Sequence, residues 1–210
     1  MDEPRPLAVA IVCEARKDRD TASGLADRVL CDHLAGVTAS RLDHVRTWRG
    51  LHPNELHLEW RHVRRFAAER DIRAHGHFSG EPGAPDAHAA RKALLLLHGS
   101  SDRPDAVVLV RDSDGQEERR NGLEQARNSY HWSFTIVIRV AHPKRECWVL
   151  AGFEPENEPE RRKLTELRSE LRFDPRTHAH KLTARGSDAR TNAKRVLERL
   201  TNGDAHREKR

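Results

Sequence analysis

Three acidic residues follow two apolar runs that are typical of buried strands. Glu14 comes directly after residues 7–12, and Asp112 and Asp114 come directly after residues 106–110. Residues two apart in an extended segment project to the same side, so the two aspartates are spaced to face one cation. Ligands of open α/β sheets bind at the carboxyl ends of the strands. If the two strands are neighbours, we expect all three carboxylates to meet there.

The chemistry of clustered carboxylates requires a cation, because they repel one another unless protons or a metal ion intervene. We expect Mg²⁺, or Mn²⁺ in its place, since Mg²⁺ prefers hard oxygen ligands and completes its shell with water and phosphate. Such a cation neutralises a transferring phosphoryl group and orients an attacking water, while Glu14 moves a proton if it is not itself a ligand. The alternative is that Asp112, Ser113 and Asp114 form only a turn and a helix cap, which these residue types favour.

A basic face is predicted on the segment 56–69, whose apolar residues recur at helical spacing. Its arginines are Arg61, Arg64 and Arg65. We expect them to contact the phosphates of a nucleic acid, and we expect the same of Lys144, which lies near the end of a later predicted strand. The alternative for the arginines is an ordinary solvated helix face. The same basic, aromatic cluster includes the residues around Trp48, which are Arg46 and Arg49.

Strands and helices alternate along most of the chain. Strands are predicted at 7–12, 106–110 and 134–140, and helices at 86–98 and 116–130. This alternation predicts an α/β fold with a mostly parallel central sheet and helices on both faces.

Several finer features are also predicted. Thr21 or Ser23 is expected to cap the first helix, and residues 72–78 are expected to form a strand. Residues 151–210 are polar and helical in pattern, and they predict a helical C-terminal extension. The last eight residues, 203–210, are expected to be a frayed tail.

Composition limits the class of protein. The formal net charge is +5, which favours an anionic partner such as nucleic acid. The longest apolar runs are far shorter than the roughly 20 residues of a membrane helix, so we expect no membrane association and a cytoplasmic location. The three cysteines are odd in number and contain no CxxC pair, which argues against a disulfide framework or a structural zinc site.

The order of these acids resembles the TOPRIM family, whose pattern is a glutamate after the first strand and a DxD after a later one. Here the two elements read VAIVCEA and VVLVRDSDG. The later stretch IRVAHPKRECWVLAGF resembles the Glu-x-Trp element of TOPRIM-like families of bacterial defence systems. The likeness extends to small uncharacterised TOPRIM-like proteins and, more distantly, to the nuclease domains of the OLD family.

The resemblance carries expectations about domains and residues. It implies a TOPRIM-like domain over residues 1–150, and we expect the extension 151–210 to pack on that domain. It gives Glu14, Asp112 and Asp114 the acidic metal-site roles and makes Glu146 a candidate further acid. The chain departs from the family in the charged stretch after Glu14, where many members have glycines, and in Gln116 at an expected third acidic position.

Two functions remain open on this basis. The first is a metal-dependent nuclease that hydrolyses phosphodiester bonds in DNA or RNA, within bacterial anti-phage defence as the resemblance implies. The second is a non-catalytic TOPRIM-like binding or regulatory subunit that acts with a partner such as an ATPase. The chain itself has no GxxxxGK[ST] motif, so an ATPase activity would belong to that partner. A topoisomerase is not expected, because Tyr130, the only tyrosine, lies at the end of a predicted helix.

Overall fold

A central sheet of mostly parallel strands, flanked by helices, forms the framework of this α/β protein. The computed structural model describes residues 5–52 and 54–208. The order of strands and helices confirms the predicted α/β class and the mostly parallel sheet. The strands are β1 (Leu7–Cys13), β2 (Arg46–Arg49), β3 (Leu58–Glu59), β4 (His77–Phe78), β5 (Glu81–Pro82), β6 (Ala106–Asp112) and β7 (Thr135–Ala141).

Helices follow most of these strands. They are α1 (Arg16–His33), α2 (Leu42–Val45), α3 (Trp60–Glu69), α4 (Ala87–His98), α5 (Glu118–Asn128), α6 (Arg145–Ala151), α7 (Glu158–Leu171) and α8 (Ala193–Thr201). Two short 3₁₀ turns lie at Ala39–Arg41 and Ala179–Lys181. Among the described residues, every helix is too short or too polar to serve as a membrane span.

The sheet order is β2-β1-β6-β7, and β3 also pairs with β1. Strand β1 is parallel to β2, β3 and β6. In the register of β1 and β6, Val12 lies opposite Leu109. The last four residues of β1 are fully buried, as expected for a short apolar run in the middle of a parallel sheet.

Two compact units divide the chain. The first comprises Met1–Arg111 and Glu117–Val140, and the second comprises Asp112–Gln116 and Ala141–Arg210. Each unit has its own cluster of buried apolar side chains. The predicted domain boundary at residue 150 stays a prediction.

The core of the first unit joins sheet and helix residues. Strands β1 and β6 contribute β-branched and leucine side chains, and α4 contributes the apolar run that ends before Gly99. Helix α5 packs against α4 through Gly122, where an added Cβ would lie 1.9 Å from the carbonyl oxygen of Pro85. The small glycine therefore permits a close approach of backbone that any other residue would block.

The core of the second unit is helical. Leu164, Leu167 and Leu171 form a buried stripe on α7, as their helical spacing predicts. Helix α7 packs with α8, and α8 also contacts α6. The segment that contains Arg207 packs on this unit. The Arg207 guanidinium donates hydrogen bonds to both carboxylate oxygens of Glu160, at 2.8 and 2.9 Å. The prediction of a frayed tail is therefore wrong for the described part of 203–210.

Two local predictions are also wrong. Thr21 and Ser23 lie inside α1, which begins five residues before Thr21 because the Asp18 carboxylate accepts a hydrogen bond from the Ala15 N–H at 2.9 Å. The predicted strand at 72–78 is limited to β4. This strand pairs with β5, whose Pro82 has no N–H to donate to the ladder.

Candidate functional site

An arginine separates two carboxylates at the end of β6 in the first unit. Because Val12 lies opposite Leu109, the register brings Glu14, just after β1, beside Arg111. Arg111 Nη1 donates to Glu14 Oε1 at 2.8 Å. Its Nε and Nη2 donate to the two oxygens of Asp86, both at 3.0 Å. The positive charge of one guanidinium therefore stabilises the negative charges of two carboxylates.

Further contacts fix this arginine in place. The Arg119 guanidinium lies 3.5 Å from Asp86, so a second positive charge balances the pair of acids. The Arg111 guanidinium carbon lies 5.6 Å from the centre of the Trp60 ring, in a cation–π contact. The Trp60 indole N–H donates to the Val110 carbonyl at 2.8 Å. Arg111 and Asp86 are mostly buried, with 18% and 15% of their side chains exposed, whereas Glu14 is 42% exposed.

The Asp-Ser-Asp turn belongs to the second unit, where Ser113 anchors it. The Ser113 hydroxyl lies 2.9 Å from His142 Nδ1, and the Ser113 N–H donates to the Ala141 carbonyl at 2.8 Å. Ser113 is almost fully buried. Its burial and its bonds make it a structural residue rather than an accessible nucleophile.

The two aspartates of this turn have different surroundings. Asp112 Oδ1 accepts a hydrogen bond at 2.9 Å from the N–H of Arg145, the first residue of α6. The Asp114 N–H donates to the Pro143 carbonyl at 3.0 Å. Asp114 and Gly115 both have positive φ, at 49° and 78°, which turns the chain sharply after β6. The local turn that we gave as the alternative therefore exists, and Asp112 also satisfies a donor at the start of α6.

Glu146 lies in the first turn of α6, beside a buried ion pair. The Arg145 guanidinium lies 2.8 Å from Glu208, and each of these side chains is 6% exposed. The same guanidinium lies 3.7 Å from Glu146, which is 17% exposed. Glu146 is therefore part of a charge cluster that includes the C-terminal segment.

The predicted nucleic-acid contacts lie in both units. Arg61, Arg64 and Arg65 are exposed on α3; Arg61 also pairs with Glu59 at 2.6 Å. Lys144 is the half-buried N-cap residue of α6 in the second unit.

The other basic residues of the predicted cluster do not face solvent. Arg46 is buried and pairs with Asp27 at 2.7 and 2.8 Å, and Arg49 is buried and pairs with Asp102 at 2.5 Å. Both guanidinium groups are buried and already paired with carboxylates of this chain, so the prediction that they contact phosphate is wrong.

Burial rules out thiol catalysis by two of the cysteines. Desolvation raises the pKa of Cys13 to about 12 and that of Cys147 to about 11. Both thiols therefore stay protonated at neutral pH and are poor nucleophiles.

The acids predicted to share a cation are divided between the units: Glu14 lies in the first, and Asp112, Asp114 and Glu146 lie in the second. Within the part of the chain that the structure describes, no group of three or more His, Cys, Asp or Glu side chains is placed to hold a metal ion. A Mg²⁺ site often takes only one or two carboxylates from the protein and leaves the rest of its shell to water and phosphate. Asp112 and Asp114 supply two hard oxygen donors in one turn, but β6 ends at Asp112 and the positive φ of Asp114 departs from the extended geometry that predicted both side chains on the same side.

Sequence reasoning missed the ion-pair group around Arg111. Its other members, Asp86 and Arg119, come from the start of α4 and the first turn of α5. The available signal was Arg111 itself, a charged residue next to the uninterrupted apolar run of β6. No family model, curated protein or solved structure matches the chain.

Proposed function

We propose that this protein is a TOPRIM-like, Mg²⁺-dependent nuclease that hydrolyses phosphodiester bonds in DNA or RNA. The observation that carries the proposal is the position of two acids at the end of a parallel strand. Asp112 ends β6, and Asp114 lies in the turn that follows it. The carboxyl ends of parallel strands are where an α/β sheet usually binds its ligand.

In this proposal, Asp112 and Asp114 bind the cation, with Mn²⁺ able to replace Mg²⁺. The bound cation supplies charge neutralisation for the phosphoryl group and orients an attacking water. Ser113 positions the two carboxylates by anchoring the turn between them to His142. Glu14 is the acid proposed for proton transfer, and Glu146 is a supporting acid.

The basic face of α3 supports a nucleic-acid substrate. Arg61, Arg64 and Arg65 expose guanidinium groups on one helix, where they are available to backbone phosphates. The formal net charge of +5 favours the same partner. Action in bacterial anti-phage defence, in the cytoplasm, belongs to this proposal through the resemblance alone.

The second candidate function is that of a non-catalytic TOPRIM-like binding or regulatory subunit that acts with a partner such as an ATPase. One observation favours it: Glu14 bonds to Arg111 at 2.8 Å, and the same guanidinium bonds Asp86. A guanidinium beside the first acid supplies the positive charge that a cation would bring, so this carboxylate is stabilised without metal.

Cleavage assays with matched variants separate the two functions. We expect the wild-type protein to cleave a DNA or RNA substrate with Mg²⁺, and Asp112→Asn and Asp114→Asn to lose about 100-fold or more in rate, as losses of electrostatic stabilisation do. Asp71→Asn is the control, because Asp71 has the same φ of 49° as Asp114 and is 85% exposed. Cation binding by calorimetry without turnover on any substrate would favour the regulatory subunit. Equal cleavage by wild type and Asp112→Asn would reject the assigned site.

A further inference from the structure

An open groove of about 470 Å³ lies in the first unit, beside the first turn of α1 and along β3 and α3. Its volume is within the roughly 300–1,000 Å³ typical of small-molecule sites. None of the acids proposed above lines it. The groove contains three kinds of side chain: basic groups, carboxylates, and apolar or aromatic groups.

The basic groups contain polar atoms that lack partners. Arg19 Nε and His57 Nε2 are buried and make no hydrogen bond within residues 5–52 and 54–208. An oxygen of the Glu59 carboxylate lies 3.9 Å from His57 Nε2, which is too long for a hydrogen bond. A buried polar atom without a partner is costly, and both atoms belong to side chains that line the groove, where an oxygen atom of a ligand would be such a partner.

The position of these groups favours a phosphate as the source of that oxygen. Arg16 and Arg19 lie in the first turn of α1, an 18-residue helix whose positive dipole end attracts anions. The Arg19 guanidinium already bonds one oxygen of Asp20 at 2.8 Å through Nη2, which holds the side chain while Nε lacks an acceptor. Burial lowers the pKa of His57 from its ordinary value, and an anion bound beside this ring would favour its protonated form.

The carboxylates of the groove suit hydroxyl groups rather than a second anion. Glu59 pairs with Arg61 at 2.6 Å, and Glu55 accepts a hydrogen bond from the His52 N–H at 3.2 Å. Both acids retain lone pairs for further donors. The hydroxyls of a ribose are donors of this kind.

The third part of the lining is apolar. Phe66 is half-buried, and the His62 ring meets it edge-on at 5.9 Å between ring centres. Leu56, which also lines the groove, is 54% exposed despite its apolar side chain. An aromatic ring and an exposed leucine together form a surface on which a planar base would be shielded from water.

We propose that this groove binds a nucleoside monophosphate, with the phosphate at Arg16, Arg19 and His57, the ribose at Glu55 and Glu59, and the base at Phe66 and Leu56. The ligand is either a free mononucleotide or the 5′-terminal nucleotide of a strand, because both present the same phosphate, sugar and base. The inference does not depend on the proposed nuclease activity, and its test contains no divalent cation.

Calorimetry with AMP, adenosine and inorganic phosphate tests the proposal on the full chain. We expect AMP to bind about tenfold or more tightly than either adenosine or phosphate, since hydrogen bonds to charged groups are worth at least that factor. Arg19→Gln should weaken AMP about tenfold and leave adenosine within about twofold. A 5′-phosphorylated oligonucleotide that binds more tightly than AMP identifies the strand end as the ligand, and equal or weaker binding identifies the free nucleotide.

A control and a spectroscopic measurement make the result decisive. Arg28→Gln changes a residue of the same helix outside the groove lining and should bind AMP as the wild type does. AMP should shift the backbone amide resonances of Arg19, His57 and Phe66 in the wild-type protein, a readout that needs no variant. Equal affinity for AMP and adenosine, or shifts confined to other residues, would overturn the proposal.

Discussion

Arg111 bonds Glu14 through one nitrogen and Asp86 through two others, at distances of 2.8 to 3.0 Å. This single guanidinium ties the end of β1 and the start of α4 to the end of β6. Asp86 has a φ of 67°, a conformation that aspartate adopts more readily than most residues. The charge of Arg111 therefore helps to fix a loop that is strained by its backbone.

The contribution of Arg111 is measurable as stability. We expect Arg111→Gln to lower the free energy of unfolding by about 1–3 kcal/mol, because it leaves the mostly buried Asp86 carboxylate with a weaker partner. Arg73→Gln is the control, since Arg73 and its partner Asp71 are 84% and 85% exposed and their pair should contribute less than about 0.5 kcal/mol. Urea denaturation measures both, and equal values for the two variants would show that Arg111 has no structural role.

Two glycines that lie in helices provide a matched pair of positions at which helix packing can be tested by substitution. Gly122→Ala should destabilise the protein by about 1–3 kcal/mol or more, because its Cβ would overlap the Pro85 carbonyl oxygen at 1.9 Å. Gly24→Ala should stabilise it by about 0.5–1 kcal/mol, because nothing lies within 4 Å of a Cβ there and alanine is the better helix former. Thermal unfolding of both variants checks the pair, and a neutral Gly122→Ala would contradict the close packing of α5 on α4.

The strands of the core were predictable, and their ends and caps were less so. The runs that became β1, β6 and β7 are short and dominated by aliphatic and β-branched residues, which is a strong local signal. The start of α1 was missed because its first turn is charged, and the cap at Ala15 depends on the side chain of Asp18 three residues later. Helix starts are predicted from the helical spacing of apolar residues, and a charged first turn contains no such residues.

The candidate site was predictable in part for a related reason. The acids follow strands whose apolar pattern is clear, so Glu14 and Asp112 were found at the ends of β1 and β6. Arg111 was missed because its partners, Glu14 and Asp86, are distant along the chain, and such pairings arise only from folding. The same limit applies to Arg46 and Arg49, whose buried side chains pair with acids that are distant along the chain.

Acid should weaken the link between the C-terminal segment and α7. Hydrogen bonds from the Arg207 guanidinium lower the pKa of Glu160, which is buried, below the usual glutamate value of about 4.3. A carboxyl whose pKa falls on folding contributes stability above its unfolded pKa and loses that stability as the pH falls through its folded pKa. We therefore expect Glu160→Gln to cost about 1.5–3 kcal/mol at pH 7 and less at an acid pH, below the ordinary glutamate pKa of about 4.3.

Denaturation at both pH values checks this prediction. Glu166→Gln, at an exposed position of the same helix, is the control and should change stability little at either pH. If the cost of Glu160→Gln were the same at the two pH values, the charge of the Glu160 carboxylate would not be what Arg207 stabilises.

The most direct test of the nuclease proposal is a crystal soaked in Mn²⁺ and measured at the manganese absorption edge. The proposal predicts an anomalous peak within coordination distance, roughly 2.1 Å, of carboxylate oxygens of Asp112 and Asp114. Loss of that peak in Asp112→Asn crystals would assign the ion to this turn. A map with no peak at either aspartate, from crystals soaked to saturation, would contradict the account.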